Sequence, residues 1–295
     1  MRLYLYSATS IKILNHEVSR SCTEQNTVSN SVTPRKLRVT PWFIKPFYYF
    51  CPNLLAMNLV IDIGNSSTKL ALLDEGRIII QTRFESLSEQ LLKEFIAKRK
   101  IDKTIISSVK DIPRFTADIA EIRSGIVHIL SHTSKFPFRI DYLTPETLGT
   151  DRIAAVAGGH NSFPGADLLV IDAGTAITFD FLEGSVYKGG NISPGIDTRF
   201  RALHHFTGRL PLITQSREYD FPGSSTAGAI IAGVVSGVIF EINEYIRTFV
   251  EKQSNSKVIL TGGDGSFLRD KIAGEVNYMP DIVTDGLNFI LEYNA

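Results

Sequence analysis

Asp62 and Asp172 are the residues around which a chemistry can first be built. Each closes an apolar run, Leu59-Val60-Ile61 or Leu169-Val170-Ile171, and each is followed by glycine and small polar residues, in LVIDIGNSSTKLALLDEG and LVIDAGTAITFDFLEG. A carboxylate ionised at the end of a core strand costs on the order of several kcal/mol unless something compensates it. Glycine lets a phosphate approach the backbone N–H groups, Asn65, Ser66, Ser67 and Thr175 offer neutral donors, and Lys69 brings a positive charge. The carboxylates cannot face phosphate without repulsion, so the pattern calls for a cation between them. The set suits the holding of a polyphosphate. One Asp-x-Gly after a strand is ordinary turn chemistry. A second copy at a constant offset of 110 residues, carried on to Thr68 and Thr178, points instead to two related halves facing each other across a cleft.

The elements that must position these residues follow from local pattern. After each Asp-x-Gly a second strand returns from a tight turn, Lys69 to Leu73 and Thr178 to Leu182. Leu91 to Lys100 reads as an amphipathic helix and TIISSV, from Thr104, as a strand. In YLTPETLGTDRIAAVAGGH, Thr144-Pro145-Glu146 has helix-start character, and Thr150 caps a helix that runs from Asp151 to a stop at Gly158-Gly159. Asp151 in its first turn complements the helix dipole, whereas Arg152 beside it is unfavourable there unless it has an anion to bind. KGGNISPGIDTRFRAL combines a Gly-Gly turn with Pro-Gly before a helix, Ser224 to Thr226 cap a glycine-rich helix, and VILTGGDGSFL is a strand running into a glycine loop and a helix.

Composition limits the alternatives. The 295 residues hold 31 basic and 31 acidic side chains and 43% hydrophobic residues, so bulk charge gives no reason to propose nucleic acid or an acidic membrane as partner. The longest apolar run, Ala227 to Phe240, has 14 residues, short of the roughly 20 a bilayer needs, and reads as a buried helix. Cys22 and Cys51 give neither metal spacing nor a disulfide framework, which fits a reducing cytoplasm. No H-E-x-x-H, P-loop or G-x-S-x-G context is present, so zinc, P-loop and serine-hydrolase chemistries have no support. Residues 1–56 carry seven basic and two acidic residues, leaving 24 basic and 29 acidic in the remainder. That segment reads as an N-terminal extension without a core of its own, with Met57 as the natural start.

DIGNSSTK, LGTDR, DAGTAIT, GGNISPG, STAGAI and LTGG occur in the order and rough spacing of the type III pantothenate kinases, members of the acetate and sugar kinase/Hsp70/actin superfamily. The chain resembles that family from Met57 to its C-terminus, with Ser66 where threonine is commoner. The resemblance implies an α/β fold of two similar actin-like (ribonuclease H-like) domains, 57–167 and 168–295, with mixed sheets flanked by helices and the active site in the cleft between them. It implies that Asp62, Gly64, Asn65, Ser66, Ser67, Thr68 and Lys69 form the first phosphate-binding loop for ATP with Mg2+. Thr175 would be a second phosphate contact, and Asp172 would bind a monovalent cation, K+ or NH4+. Gly149, Thr150, Asp151 and Arg152 would bind pantothenate, with Tyr142 and Thr226 completing the pocket and Asp151 as general base. Arg152 would grip the pantothenate carboxylate. The implied assembly is a cytoplasmic homodimer with the helix from Thr226 at its interface, binding neither nucleic acid nor membrane. Another small-molecule kinase of the superfamily and a non-catalytic transcriptional accessory factor are the alternatives, and the intact Asp62, Asp151, Asp172 and Thr175 argue against the second.

Overall fold

Apolar runs bounded by polar turns form two sheets in the protein, whose structure, a computed structural model, describes residues 56–214, 218–253 and 255–295. Apart from Ala56, the expectations placed on residues 1–56 lie outside the described residues. The first sheet holds β1 (Ala56–Ile63), β2 (Thr68–Asp74), β3 (Arg77–Phe84), β4 (Lys100–Ser108) and β5 (Ile126–Ile129), in the order β3-β2-β1-β4-β5. β1 pairs antiparallel with β2 and parallel with β4. The second sheet contains β6 (Arg139–Ile140), β7 (Asp167–Ala173), β8 (Ala176–Glu183), β9 (Val186–Pro194), β10 (Ser256–Thr261) and β11 (Asn277–Tyr278), ordered β11-β10-β7-β8-β9-β6. Apart from the added β6, the two sheets share one order and one set of strand directions. The shared hairpins are made alike. Glu75-Gly76 and Gly184-Ser185 are two-residue turns with positive φ at both positions, the conformation that matches strand twist.

The period of two along the central strands builds three cores. Leu59, Ile61 and Ile63 point to the outer face of the first sheet, where α1 (Glu89–Ile96) and α2 (Arg114–Arg123) cover them. Leu169, Ile171 and Ala173 point to the outer face of the second, beneath α4 (Ile196–Phe206) and α5 (Thr226–Val250), α3 being Thr150–Ser162. Val60 and Val170 point inward to a central core shared with α3 and α7 (Ile282–Asn294), α6 being the single turn Gly265–Leu268. Successive residues thus face opposite layers in both copies, at the offset read from the sequence. α5 is the one described helix long and apolar enough to cross a membrane, and half of its most apolar window is buried, against the second sheet.

Two glycine pairs behave differently from expectation. Gly158-Gly159 does not stop a helix: α3 continues to Ser162. A Cβ on Gly158 would lie 2.4 Å from the Ile282 carbonyl, and one on Gly286 would lie 1.8 Å from the Ala154 carbonyl, so these glycines let α3 and α7 cross in contact. Close packing offsets their helix-propensity cost of about 1 kcal/mol each. Gly189-Gly190 likewise forms no turn. It lies inside β9, where the ladder shifts register between Phe181 and Leu182 and Gly189 takes a φ of +99°. Such a bulge is a usual place for glycine.

Candidate active site

Asp62 and Asp172 stand at the same place in the two sheets, at the C-terminal ends of the central strands β1 and β7. The registers compare the copies directly. Asp62 is opposite Lys69 on β2 and Ser107 on β4, and Asp172 is opposite Thr178 on β8 and Thr261 on β10. The loop closed by the Ile63–Thr68 pair holds four residues, while that closed by Ala173–Ile177 holds three. The structural counterpart of Thr178 is therefore Lys69, and the match of Thr68 with Thr178 at offset 110 is out of step by one residue.

The two turns border a cleft of about 570 Å3. Asp62, Gly64, Asn65, Ser66, Ser67, Lys69, Asp151, Arg152, Asp172 and Thr175 all line it. Backbone hydrogen bonds from Gly64 to the Ser67 carbonyl (3.0 Å) and from Gly174 to the Ala176 carbonyl (2.9 Å) close the turns. α4 holds the second turn through the Gly195 N–H and the Thr198 hydroxyl, both donated to the Thr175 carbonyl. Gly262, at φ +90°, passes so near Asp172 that a Cβ would lie 2.4 Å from its Oδ1.

The other expected residues lie outside this lining. Thr68 is buried within β2. Thr150 does not cap α3: the N-cap is Gly149, and Thr150 is the first helical residue. Its hydroxyl instead lies 3.0 Å from Ser107 Oγ and donates to the Ser108 carbonyl, tying the start of α3 to the end of β4. Gly149 clears space for Asp151, since a Cβ there would fall 2.5 Å from Asp151 Oδ1. Tyr142 lines a neighbouring groove of about 620 Å3 with Lys188, Gly190 and Asn191, and interacts with Arg152. Thr226 is exposed at the start of α5, behind its N-cap Ser225, and lines neither space.

The cleft is lined by four carboxylates, Asp62, Asp151, Asp172 and Asp281, and three cations, Lys69, Arg83 and Arg152. Burial, and next the charge of Asp151, push the carboxyls of Asp62 and Asp172 up to about 6, while Lys69 draws both down. Asp151 is the second residue of α3, and its Oδ1 accepts the Arg152 backbone N–H at 2.9 Å. Arg152 is buried against Asp180, its Nε donating to Asp180 Oδ1 at 2.9 Å. One edge of the guanidinium is therefore engaged within the chain. Among the described residues no group of three or more His, Cys, Asp or Glu side chains could together hold a metal ion. A cation here needs phosphate or water to complete its shell, the habit of Mg2+.

Sequence reasoning missed Arg83, Gln81 and Asp281, which also line the cleft. Arg83 lies opposite Lys69 only because the β2–β3 ladder slips between Leu72 and Leu73. Counting back from the turn pairs Lys69 with Thr82 instead, so pattern alone gives no signal. Gln81 and Asp281 meet across the cleft at 2.7 Å, between segments 200 residues apart.

Two sheets of one order, each ending its central strand in an acid and a short glycine-containing turn, define an actin-like fold of the ATPase and sugar kinase class. The comparisons narrow the class. The family model for type III pantothenate kinase matches residues 58–248. The type III pantothenate kinase of Porphyromonas gingivalis is 43% identical over 249 residues, covering 82% of this chain and all of that protein. That of Bacteroides fragilis is 41% identical over 240 residues, covering 81% and 98%. A crystal structure from Campylobacter jejuni, assigned to the Baf family of transcriptional activators, is 26% identical with a TM-score of 0.52, covering 80% of this chain and 98% of its own. The chain belongs to the type III pantothenate kinase family.

Proposed function

We propose that this cleft transfers the γ-phosphoryl group of ATP to the primary hydroxyl of pantothenate, giving 4'-phosphopantothenate, the first step of coenzyme A biosynthesis. The observation that carries the reading is that the two glycine-containing turns line one cleft with Asp151, whose charge acts on both Asp62 and Asp172. Gly64 to Ser67, Lys69 and Thr175 hold the phosphates. Asp151 orients the hydroxyl and takes its proton as the oxygen attacks phosphorus and ADP leaves. Phosphoryl transfer depends mainly on such alignment and charge compensation. Arg152 receives the pantothenate carboxylate.

The burial that raises the Asp62 and Asp172 carboxyls fits bound metal ions. Asp62 would hold Mg2+ with the nucleotide, and Asp172 a monovalent K+ or NH4+. When bound there, metal ions would neutralise the phosphate charge. We place the two lobes at 57–167 and 168–295, with β6 joining the sheet of the second. A homodimer accounts for Thr226, which is exposed and outside the lining of its own chain's cleft, and for the exposed Phe206, Phe221 and Phe240 on and beside α4 and α5. A cytoplasmic setting supplies the ATP.

A coupled ADP-release assay with and without pantothenate tests the reading. Turnover is expected only with pantothenate present. Turnover restored by a different alcohol, with pantothenate inert, would move the assignment to another kinase of the superfamily.

A further inference from the structure

The proposed reaction gives Arg152 an anion to bind but does not account for how the side chain is held. A cation in the first turn of a helix is repelled by the helix dipole, and this one is only 7% exposed. Its partner Asp180 is 1% exposed. Buried ion pairs of this kind seldom stabilise a fold better than apolar side chains of the same volume. The arrangement therefore calls for a use.

Its geometry supplies one. Asp180 accepts through a single oxygen: Arg152 Nε at 2.9 Å and the Tyr187 hydroxyl at 2.7 Å both donate to Oδ1. Arg152 Nη2 lies 2.7 Å from that same oxygen but is not aligned for a hydrogen bond, so its buried N–H groups lack an acceptor. The contact runs along the Nε–Nη2 edge onto one carboxylate oxygen, and the guanidinium, which also interacts with Tyr142, keeps its Nη2 donors unmatched on a side chain that lines the cleft beside Asp151. β9 makes the space. Gly190 is opposite Asp180 in the ladder, and a Cβ there would fall 2.6 Å from Arg152 Nη2 and 2.8 Å from Asp180 Oδ1. Tyr187, fully buried on the same strand, has its hydroxyl committed to Asp180.

We infer that Asp180 and Tyr187 are positioning residues, which lock the Arg152 guanidinium at the angle that presents its outer N–H groups to the carboxylate of the acceptor substrate, in space kept open by Gly190. The inference rests on the proposed pantothenate kinase reaction and adds the residues that set its acceptor affinity. Neither Asp180 nor Tyr187 touches the substrate. Their effect passes through Arg152, so it is confined to acceptors that carry a carboxylate.

The test uses the full chain and two acceptors: pantothenate, and its alcohol analogue with the carboxylate replaced by a hydroxymethyl group. Tyr187→Phe keeps the ring and removes one hydrogen bond to a charged group. It should raise KM for pantothenate about tenfold, while kcat/KM for the alcohol and KM for ATP move less than about twofold. Asp180→Asn should act in the same direction and more strongly. Its melting temperature is measured alongside, because an unpaired buried arginine also threatens the fold, and Tyr187→Phe keeps the test decisive if Asp180→Asn does not fold. Equal losses on both acceptors, or no change in a normally melting Tyr187→Phe, would overturn the positioning role while leaving the kinase assignment intact. A wild-type enzyme that does not phosphorylate pantothenate would overturn both.

Discussion

Replacing Asp172 by asparagine should make the nucleotide-free protein more stable and less active. The folded chain holds the Asp172 carboxyl at about 6 against an ordinary 3.8, chiefly through burial and then through Asp151 and Asp180. That rise corresponds to about 3 kcal/mol of unfavourable energy once the group is ionised. Its sign fixes the pH window. Between pH 3.8 and about 6 the folded state keeps a proton that the unfolded state has released, so this contribution to stability is complete below about pH 4. It is lost as pH rises through 6. Asp62 is displaced in the same direction and lies within electrostatic reach, so the two titrate as a coupled set and their effects do not add.

Asparagine keeps the shape of the side chain and removes the charge. At pH 7.5 the variant should be more stable by about 1–3 kcal/mol, or about 3–8 °C in melting temperature for a chain of this size. The gain should shrink toward zero by about pH 4. Melts from pH 4 to 8 in a tetramethylammonium buffer without nucleotide measure it, and adding K+ should raise the melting temperature of the wild type but not of the variant. Turnover and its K+ dependence should fall in the same preparation. A variant that melts lower at pH 7.5, or whose offset ignores pH, would refute the argument and make Asp172 a structural residue.

Asp151→Asn retains the oxygen that accepts the Arg152 N–H, so its melting temperature should stay within about 2 °C while turnover falls about 10²- to 10⁴-fold; early melting with normal turnover would make Asp151 a helix cap. Gly286→Ala sets a methyl group against the Ala154 carbonyl and should cost about 1–3 kcal/mol or more in denaturant titration, whereas a neutral result would show that α3 and α7 do not cross in contact. Phe240→Lys on the exposed face of α5 should convert a dimer to monomers by sedimentation and reduce turnover at low protein concentration. An unaltered sedimentation coefficient would move the interface elsewhere.

Much of the fold was legible because it is written twice. The LVID runs alternate inward and outward in step, and each Asp-x-Gly turn leads into a returning strand, so the sequence contains its own alignment. Features produced by contacts distant in sequence were not legible. Gly158-Gly159 reads as a stop because local pattern cannot reveal that α7 arrives from residue 282 to occupy the space. Gly189-Gly190 reads as a turn because the bulge that places it in β9 depends on pairing with β8. Arg152 reads as a cation in need of an anion, and Asp180, 28 residues further on, is the one that reaches it within the chain. The slip in β2–β3 likewise hid Arg83.

The one-residue difference between the two turns explains why duplicated halves can do unlike work. With four residues in the first loop, the position opposite Asp62 falls on Lys69; with three in the second, the position opposite Asp172 falls on Thr178. The parallel neighbours, Ser107 and Thr261, are both hydroxyls. Asp62 thus has a lysine as its register partner, and Asp172 has only neutral oxygens. A hydroxyl can orient toward a cation, whereas an ammonium group repels one. The difference is one of nearest partners only, since Lys69 draws down both carboxyls, and the monovalent ion proposed at Asp172 rests on the resemblance to the family.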